Sequence, residues 1–251
     1  MTKNTTAFFG FLLLMLLGLS SNAQQESPHL EQEKKSWFSQ TKIGISTSGF
    51  QSTLSGVRTD LPPSYGFSGL SHTIDKTYGF SVGGLMQTPI HRFIEIEYGL
   101  GYFLEREKIS IDYNDWFTGE PKVADLNINL HYLEIPIGIR GILFQKSNNQ
   151  IILLGNINPR LLLVGYDNYQ NIIFEFIGIP SRPWKKIMIN GGLSFGFRQK
   201  MDNNYLEILA FQSYDFMPML KKEGWGFYTD LYPARNSQIG IKINYFFKIL
   251  K

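Results

Sequence analysis

The sequence predicts an all-β fold, an eight-stranded, antiparallel, up-and-down β-barrel that crosses a membrane. Three observations carry that expectation. Apolar residues alternate with period two in long segments, the connections between segments alternate between short and long, and the polar parity of the segments is filled with glycine, serine and isolated charges.

The chain begins with Lys3 in a polar start, an unbroken apolar run from Ala7 to Leu19, and the small-residue exit Ser20-Ser21-Asn22-Ala23. That is the plan of a secretory signal peptide over residues 1–23, since the run falls short of the ~20 residues of a spanning helix. Cleavage after Ala23 leaves Gln24 first. With no cysteine in the chain, the mature protein is expected to carry neither a lipid anchor nor a disulfide. Residues 24–36, QQESPHLEQEKKS, are polar and read as a flexible periplasmic lead-in. Residues 37–251 read as one barrel domain. The formal charge of +3 is too near neutral to argue for nucleic acid as a partner.

Eight strands are expected, at about 41–53, 76–88, 92–105, 126–145, 150–165, 185–199, 204–215 and 237–250. The third sets Ile94, Ile96, Tyr98, Leu100 and Leu104 against Glu95, Glu97, Gly99 and Gly101. The sixth sets Ile187, Ile189, Leu193, Phe195 and Phe197 against Asn190, Gly192, Ser194 and Gly196. The eighth sets Ile239, Ile241, Ile243 and Phe247 against Gly240, Lys242 and Asn244. A soluble sandwich turns its polar face to water and fills it with Lys, Glu and Thr. The small residues here fit a crowded lumen instead. The connections 54–75, 106–125, 166–184 and 216–236 are long, and those near 89–91, 146–149 and 200–203 are short, as in an outer-membrane barrel with both termini in the periplasm. Aromatics at Tyr78, Tyr132, Phe195, Phe197, Tyr245 and Phe247 are expected to form a rim girdle.

The stretch Leu126 to Gly141, LNINLHYLEIPIGIRG, changes its apolar parity. Leu126, Ile128, Leu130 and Tyr132 are even, whereas Leu133, Ile135, Ile137 and Ile139 are odd. A β-bulge at Tyr132–Leu133 would account for this and give Pro136 a disrupted ladder to sit in. The lumen set would then be Asn127, Asn129, His131, Glu134, Pro136, Gly138 and Arg140. Within this stretch, YLEIPIGIRG resembles the Tyr-Leu-Glu-[Ile/Val]-Pro segment of the PorT-like outer-membrane β-barrel proteins of the Bacteroidetes group, and the signal peptide ending at Ala23-Gln24 is similar to theirs. The resemblance covers the barrel in length and layout, but in motif only this segment. It implies an eight-stranded barrel in the cell outer membrane, with one branch of the family tied to protein secretion and gliding.

The polar parities put Glu95, Glu97, Glu134 and Glu207 in the lumen with Arg140, Arg160, Arg198 and Lys242, an expected ion-pair network rather than a channel or a catalytic carboxylate pair. His29, His72, His91 and His131 are scattered, so no metal site is expected, and no cofactor motif occurs. A rim enzyme acting on lipid would have only Ser71, His72 and Asp75, in the first long connection, to draw on. The aromatic connections DYNDWFTGEPK, GYDNYQNIIFEFIGIPSRPW and MLKKEGWGFYTDLYPAR favour contact with a partner or glycan. The expected role is therefore non-enzymatic. A monomeric barrel, surrounded by outer-membrane lipid, would act structurally or through its outer connections on other envelope or secretion proteins. The alternatives are a rim lipid-modifying enzyme and a soluble periplasmic ligand-binding barrel.

Overall fold

The computed structural model describes residues 41–55, 71–114, 118–169, 184–202, 204–219 and 233–248. The chain divides into residues 1–36 and residues 37–251. The expected signal peptide and lead-in both lie outside the described residues, as do most of the first, third and fourth expected long connections.

The strands are β1 (Lys42–Ser55), β2 (Ser71–Asp75), β3 (Thr77–His91), β4 (Ile94–Asn114), β5 (Pro121–Glu134), β6 (Ile137–Lys146), β7 (Asn149–Tyr169), β8 (Ile187–Met201), β9 (Asn204–Asp215) and β10 (Arg235–Lys248). All pairings are antiparallel, and β1 pairs both β3 and β10, which closes the sheet on itself. Two of the eight staves are interrupted. β2 continues β3 along β4, with one extra residue near Lys76, and β5 and β6 form one stave on either side of Pro136. Following paired residues once round the ring leads from Lys42 through Gln87, Glu97, Gly138, Asn156, Gly192, Ser213 and Gln238 to Ser52. The stagger carries the path ten residues up β1, which with a ~3.3 Å rise and ~4.8 Å strand spacing tilts the strands by about 40°.

The faces divide by height. Through the lower part of the barrel Ile43, Ile45, Val82, Leu100, Ile137 and Ile241 point outward and are exposed, while Ser46, Glu97, Arg140, Ser194 and Asn244 point inward and are buried. An apolar band around a closed sheet, polar inside, is the surface of a barrel embedded in lipid, and barrels of this kind sit in outer membranes. The polar parity is small where paired backbones approach closely. A Cβ on Gly83 would lie 2.6 Å from the Cα of Gly101, its partner across the ladder.

Above the band the pattern inverts, and here the expected bulge is corrected. The register of β4 with this stave is continuous from Asn114↔Pro121 to Ile94↔Gly141, and Gly99 N donates to Pro136 O at 3.0 Å in the same register. No residue is inserted at Tyr132–Leu133. Leu126, Ile128, Leu130 and Tyr132 are inward and buried, as are Pro136, Gly138 and Arg140, so the even parity faces the lumen throughout. Asn127, Asn129 and His131, expected in the lumen, lie on the outer face, and Tyr132 leaves the girdle for the core. The physical reason is a change of solvent along one strand. Where lipid is outside, apolar side chains turn out, and where water is outside they turn in. The register shift that does occur is between His131 and Tyr132 along the pairing with β7, where the extra residue is Leu163. Leu163 and Val164 are both exposed there.

The inward apolar residues of the extension form a core of Phe50, Leu54, Phe103, Ile109, Leu126 and Ile128 with Leu130, Tyr132, Trp184 and Met188. Phe50 and Phe103 stack with ring centres 4.8 Å apart. Burying each such side chain contributes about 1.5–3 kcal/mol, so the extension is held as a soluble domain is. It also shortens the expected connections. β4 runs to Asn114 and β5 starts at Pro121, with Gly119 in left-handed backbone (φ 71°) at the hairpin tip.

Candidate functional site

Two side-chain clusters fill the lumen at different heights. The lower one is built on Glu95 and Glu97 of β4, Arg140 of β6, Arg198 of β8, Glu207 of β9, Lys42 of β1 and Lys242 of β10. Alternation sends each of these residues inward from its own stave. Arg140 bridges Glu97 and Glu207, and Arg198 bridges Glu95 (2.5 Å) and Glu207 (2.7 Å). Lys42 and Lys242 reach Glu95 and Glu97, both at 3.1 Å. Gln87 and Asn244 take up remaining oxygens and protons around Arg198 and Glu207. Seven charged side chains spanning the lumen leave it crossed by paired groups, which suits a plug better than a conduit.

The upper cluster lies near the top of the band and above it. Arg160 of β7 donates to Glu134 of β5 at 2.6 Å, comes within 3.6 Å of Asp215 of β9, and lies 3.6 Å over the ring of Phe103. Glu105 and Glu107 of β4 share the side-chain amide of Asn236 of β10. Glu105 also accepts from Gln238 at 2.9 Å, and Glu107 is hydrogen-bonded to Ser52 of β1.

On the outer wall above the band, Tyr102 and His131 are hydrogen-bonded at 2.5 Å, and Tyr166 meets the His131 ring edge-on at 5.7 Å. Lys108 sits between Asp125 (3.1 Å) and Asp75 (3.3 Å). Its hydrogen bonds to Asp125 and then Asp75 raise the pKa of the ammonium, while Ser110, and then Lys108, lower that of Asp125.

All eight charges expected in the lumen are there, but they do not form one balanced network. Glu134 and Arg160 belong to the upper cluster and the rest to the lower. Lys42, Glu105, Glu107 and Asp215 were missed. Glu105 and Glu107 share the odd parity of Glu95 and Glu97, but the expected strand 92–105 had Glu105 as its last residue and left Glu107 outside. Ser71, His72 and Asp75 lie on paired strand β2 rather than in a loop, and Asp75 is engaged by Lys108. His91 ends β3, where its Nδ1 accepts from Phe93 N at 3.4 Å, and His29 lies outside the described residues.

No protein-family model and no curated protein matches the chain. Among solved structures it is similar to the outer membrane protein OprG from Pseudomonas aeruginosa, at 10% identity and TM-score 0.43, covering 83% of this chain and 96% of that one. It is also similar to Neisserial surface protein A, at 11% identity and TM-score 0.39, covering 80% and 95%. Ail, the attachment invasion locus protein of Yersinia pestis, is similar at 11% identity and TM-score 0.34, covering 83% and 99%. The strand pairing of this chain, rather than these likenesses, makes it a barrel.

Proposed function

We propose that this chain is a closed, monomeric outer-membrane barrel with a structural or interaction role. It would present its outer extension and long connections to other envelope or secretion proteins. The lower lumen cluster carries this reading. A lumen crossed by seven mutually paired charges supports a scaffold over a pore, and a barrel that continues above the bilayer on a packed core supports a rigid display surface. No catalytic role is proposed, and Ser71→Ala and His72→Ala are expected to leave the envelope lipid profile unchanged. At the finer level we place the chain with the PorT-like barrels, on the segment Tyr132-Leu133-Glu134-Ile135-Pro136.

The test uses the full mature chain. It is expected to fractionate with the outer membrane, to change gel mobility on boiling, and to give no steady conductance in planar bilayers. Cross-linking in cells from Asn127→Cys or Asn129→Cys on the outer wall should capture an envelope partner. A stable open pore, or a folded monomer in detergent-free buffer, defeats the proposal. Unchanged secretion in a deletion strain defeats the role with secretion proteins alone.

A further inference from the structure

The upper cluster holds more carboxyl groups than it can leave ionised. Glu105, Glu107, Glu134 and Asp215 face a single guanidinium, Arg160, which is taken up by Glu134 and Asp215. Among the described residues neither Glu105 nor Glu107 makes an ion pair. Glu107 is 1% exposed, and its Oε2 is buried with no hydrogen-bond partner. A carboxylate in that state keeps its charge with one oxygen buried and without a protein donor or cation on it, which costs far more than the neutral acid does.

Counting hydrogens at Ser52 points the same way. Its hydroxyl lies against both Glu107 Oε1 and Asn236 Oδ1, the latter at 2.8 Å. A hydroxyl has one hydrogen to give. The side-chain amide of Asn236 is already oriented by its Nδ2, which donates to Glu105 and Glu107, so its Oδ1 must accept. If Ser52 donates to Asn236, the contact with Glu107 needs a hydrogen that only Glu107 can supply.

We propose that Glu107 is a proton-binding site, which takes one proton from the outer medium and holds it as a neutral carboxylic acid donating to Ser52, whose hydroxyl donates to Asn236. The proton forms an Oε1–H bond, and the carboxylate loses its unit charge. Asn236 and Gln238 then serve Glu105 as the acceptor of the pair.

Around this group β4 also presents Glu105, β5 presents Tyr132 and Glu134, β7 presents Arg160 and β9 presents Asp215. From β1, β8 and β10 come Ser52, Asn190, Asn236 and Gln238, which do not titrate, and β2 and β3 expose Asp75 and Tyr78 on the other face. Glu107 stands beyond Leu100, the last exposed apolar residue on the outward parity of β4, and next to exposed Arg106, and is therefore above the bilayer. Burial first, and then the Glu105 charge, push its pKa well above the usual carboxylate range. The stability that neutral Glu107 contributes is complete below the unfolded value near ~4.3, and is lost as pH rises from there through the higher folded value.

Isotope-edited infrared spectroscopy of the mature barrel in lipid vesicles tests this directly when the pH is held above about 8, the value to which burial, and then Asp215, push Glu105. A protonated-carboxyl band is expected in the wild type and in Glu105→Gln, and is expected to vanish in Glu107→Gln, which keeps the shape and neutrality of the acid. Ser52→Ala removes its acceptor and should shift the band, so the site remains testable if Glu107→Gln fails to fold. Urea unfolding gives a second reading, since the wild-type unfolding constant should change up to about tenfold per pH unit through the window and Glu107→Gln should flatten that dependence. The proposal is overturned by the absence of a neutral-carboxyl band, by its survival in Glu107→Gln, by its loss in Glu105→Gln, or by an unmoved band in Ser52→Ala.

Discussion

Replacing Glu207 with Gln attacks the lower plug at its centre. Glu207 is fully buried. Its Oε1 serves Arg140 and Arg198 and its Oε2 accepts from Asn244 at 2.9 Å. The cluster holds four cations, Lys42, Arg140, Arg198 and Lys242, against three carboxylates, Glu95, Glu97 and Glu207. The amide leaves four cations with two carboxylates in a lumen where Arg140 and Arg198 are fully buried. Removing one partner of a buried pair costs about 3–5 kcal/mol, against a typical total stability of ~5–15 kcal/mol. Equilibrium urea unfolding of the barrel in vesicles should show a midpoint lowered by about 1–2.5 M, for a slope of ~2–3 kcal/mol per M. Adding Arg198→Met removes one of the surplus cations and should recover part of the loss, so the double variant is more stable than the sum of the singles implies. Lys108→Ala, which breaks only the exposed pairs with Asp75 and Asp125, should leave the midpoint where it was. A Glu207→Gln barrel as stable as Lys108→Ala, or strictly additive with Arg198→Met, refutes the idea that the plug is held by charge pairing.

Cysteine substitutions test the inversion above the bilayer. Asn127→Cys, Asn129→Cys and His131→Cys should react with a membrane-impermeant maleimide on intact cells and Ile128→Cys should not, whereas the bulge expected from the sequence puts the first three in the lumen and Ile128 against lipid, so that none of the four would react. Gly83→Val should abolish the heat-dependent mobility shift, because its Cβ meets the Gly101 backbone, while outward Gly49→Ala, with open space around its Cβ, should fold normally. Ile128→Ala should cost about 2–5 kcal/mol, read by unfolding, if the extension is packed as a core.

The sequence by itself determined the barrel. Period-two alternation over long segments, with Ser46, Gly99 and Ser194 on one parity and Ile45, Leu100 and Phe195 on the other, is a local property of each strand, as is the charge parity that sent Glu95, Arg140 and Arg198 inward. The height at which lipid gives way to water was decided only by the closed structure. One strand cannot say whether Leu126 and Ile128 are greasy because they face hydrocarbon or because they face each other across a ring, since both demands select the same residues. The tilt and the ten-residue stagger fix which residues share a level. They place Leu126 above the bilayer, gather Ser52, Glu107 and Asn236 from three staves, and separate Arg160 from the lower arginines. Such meetings between residues distant in the chain leave no mark in the alternation of any single strand.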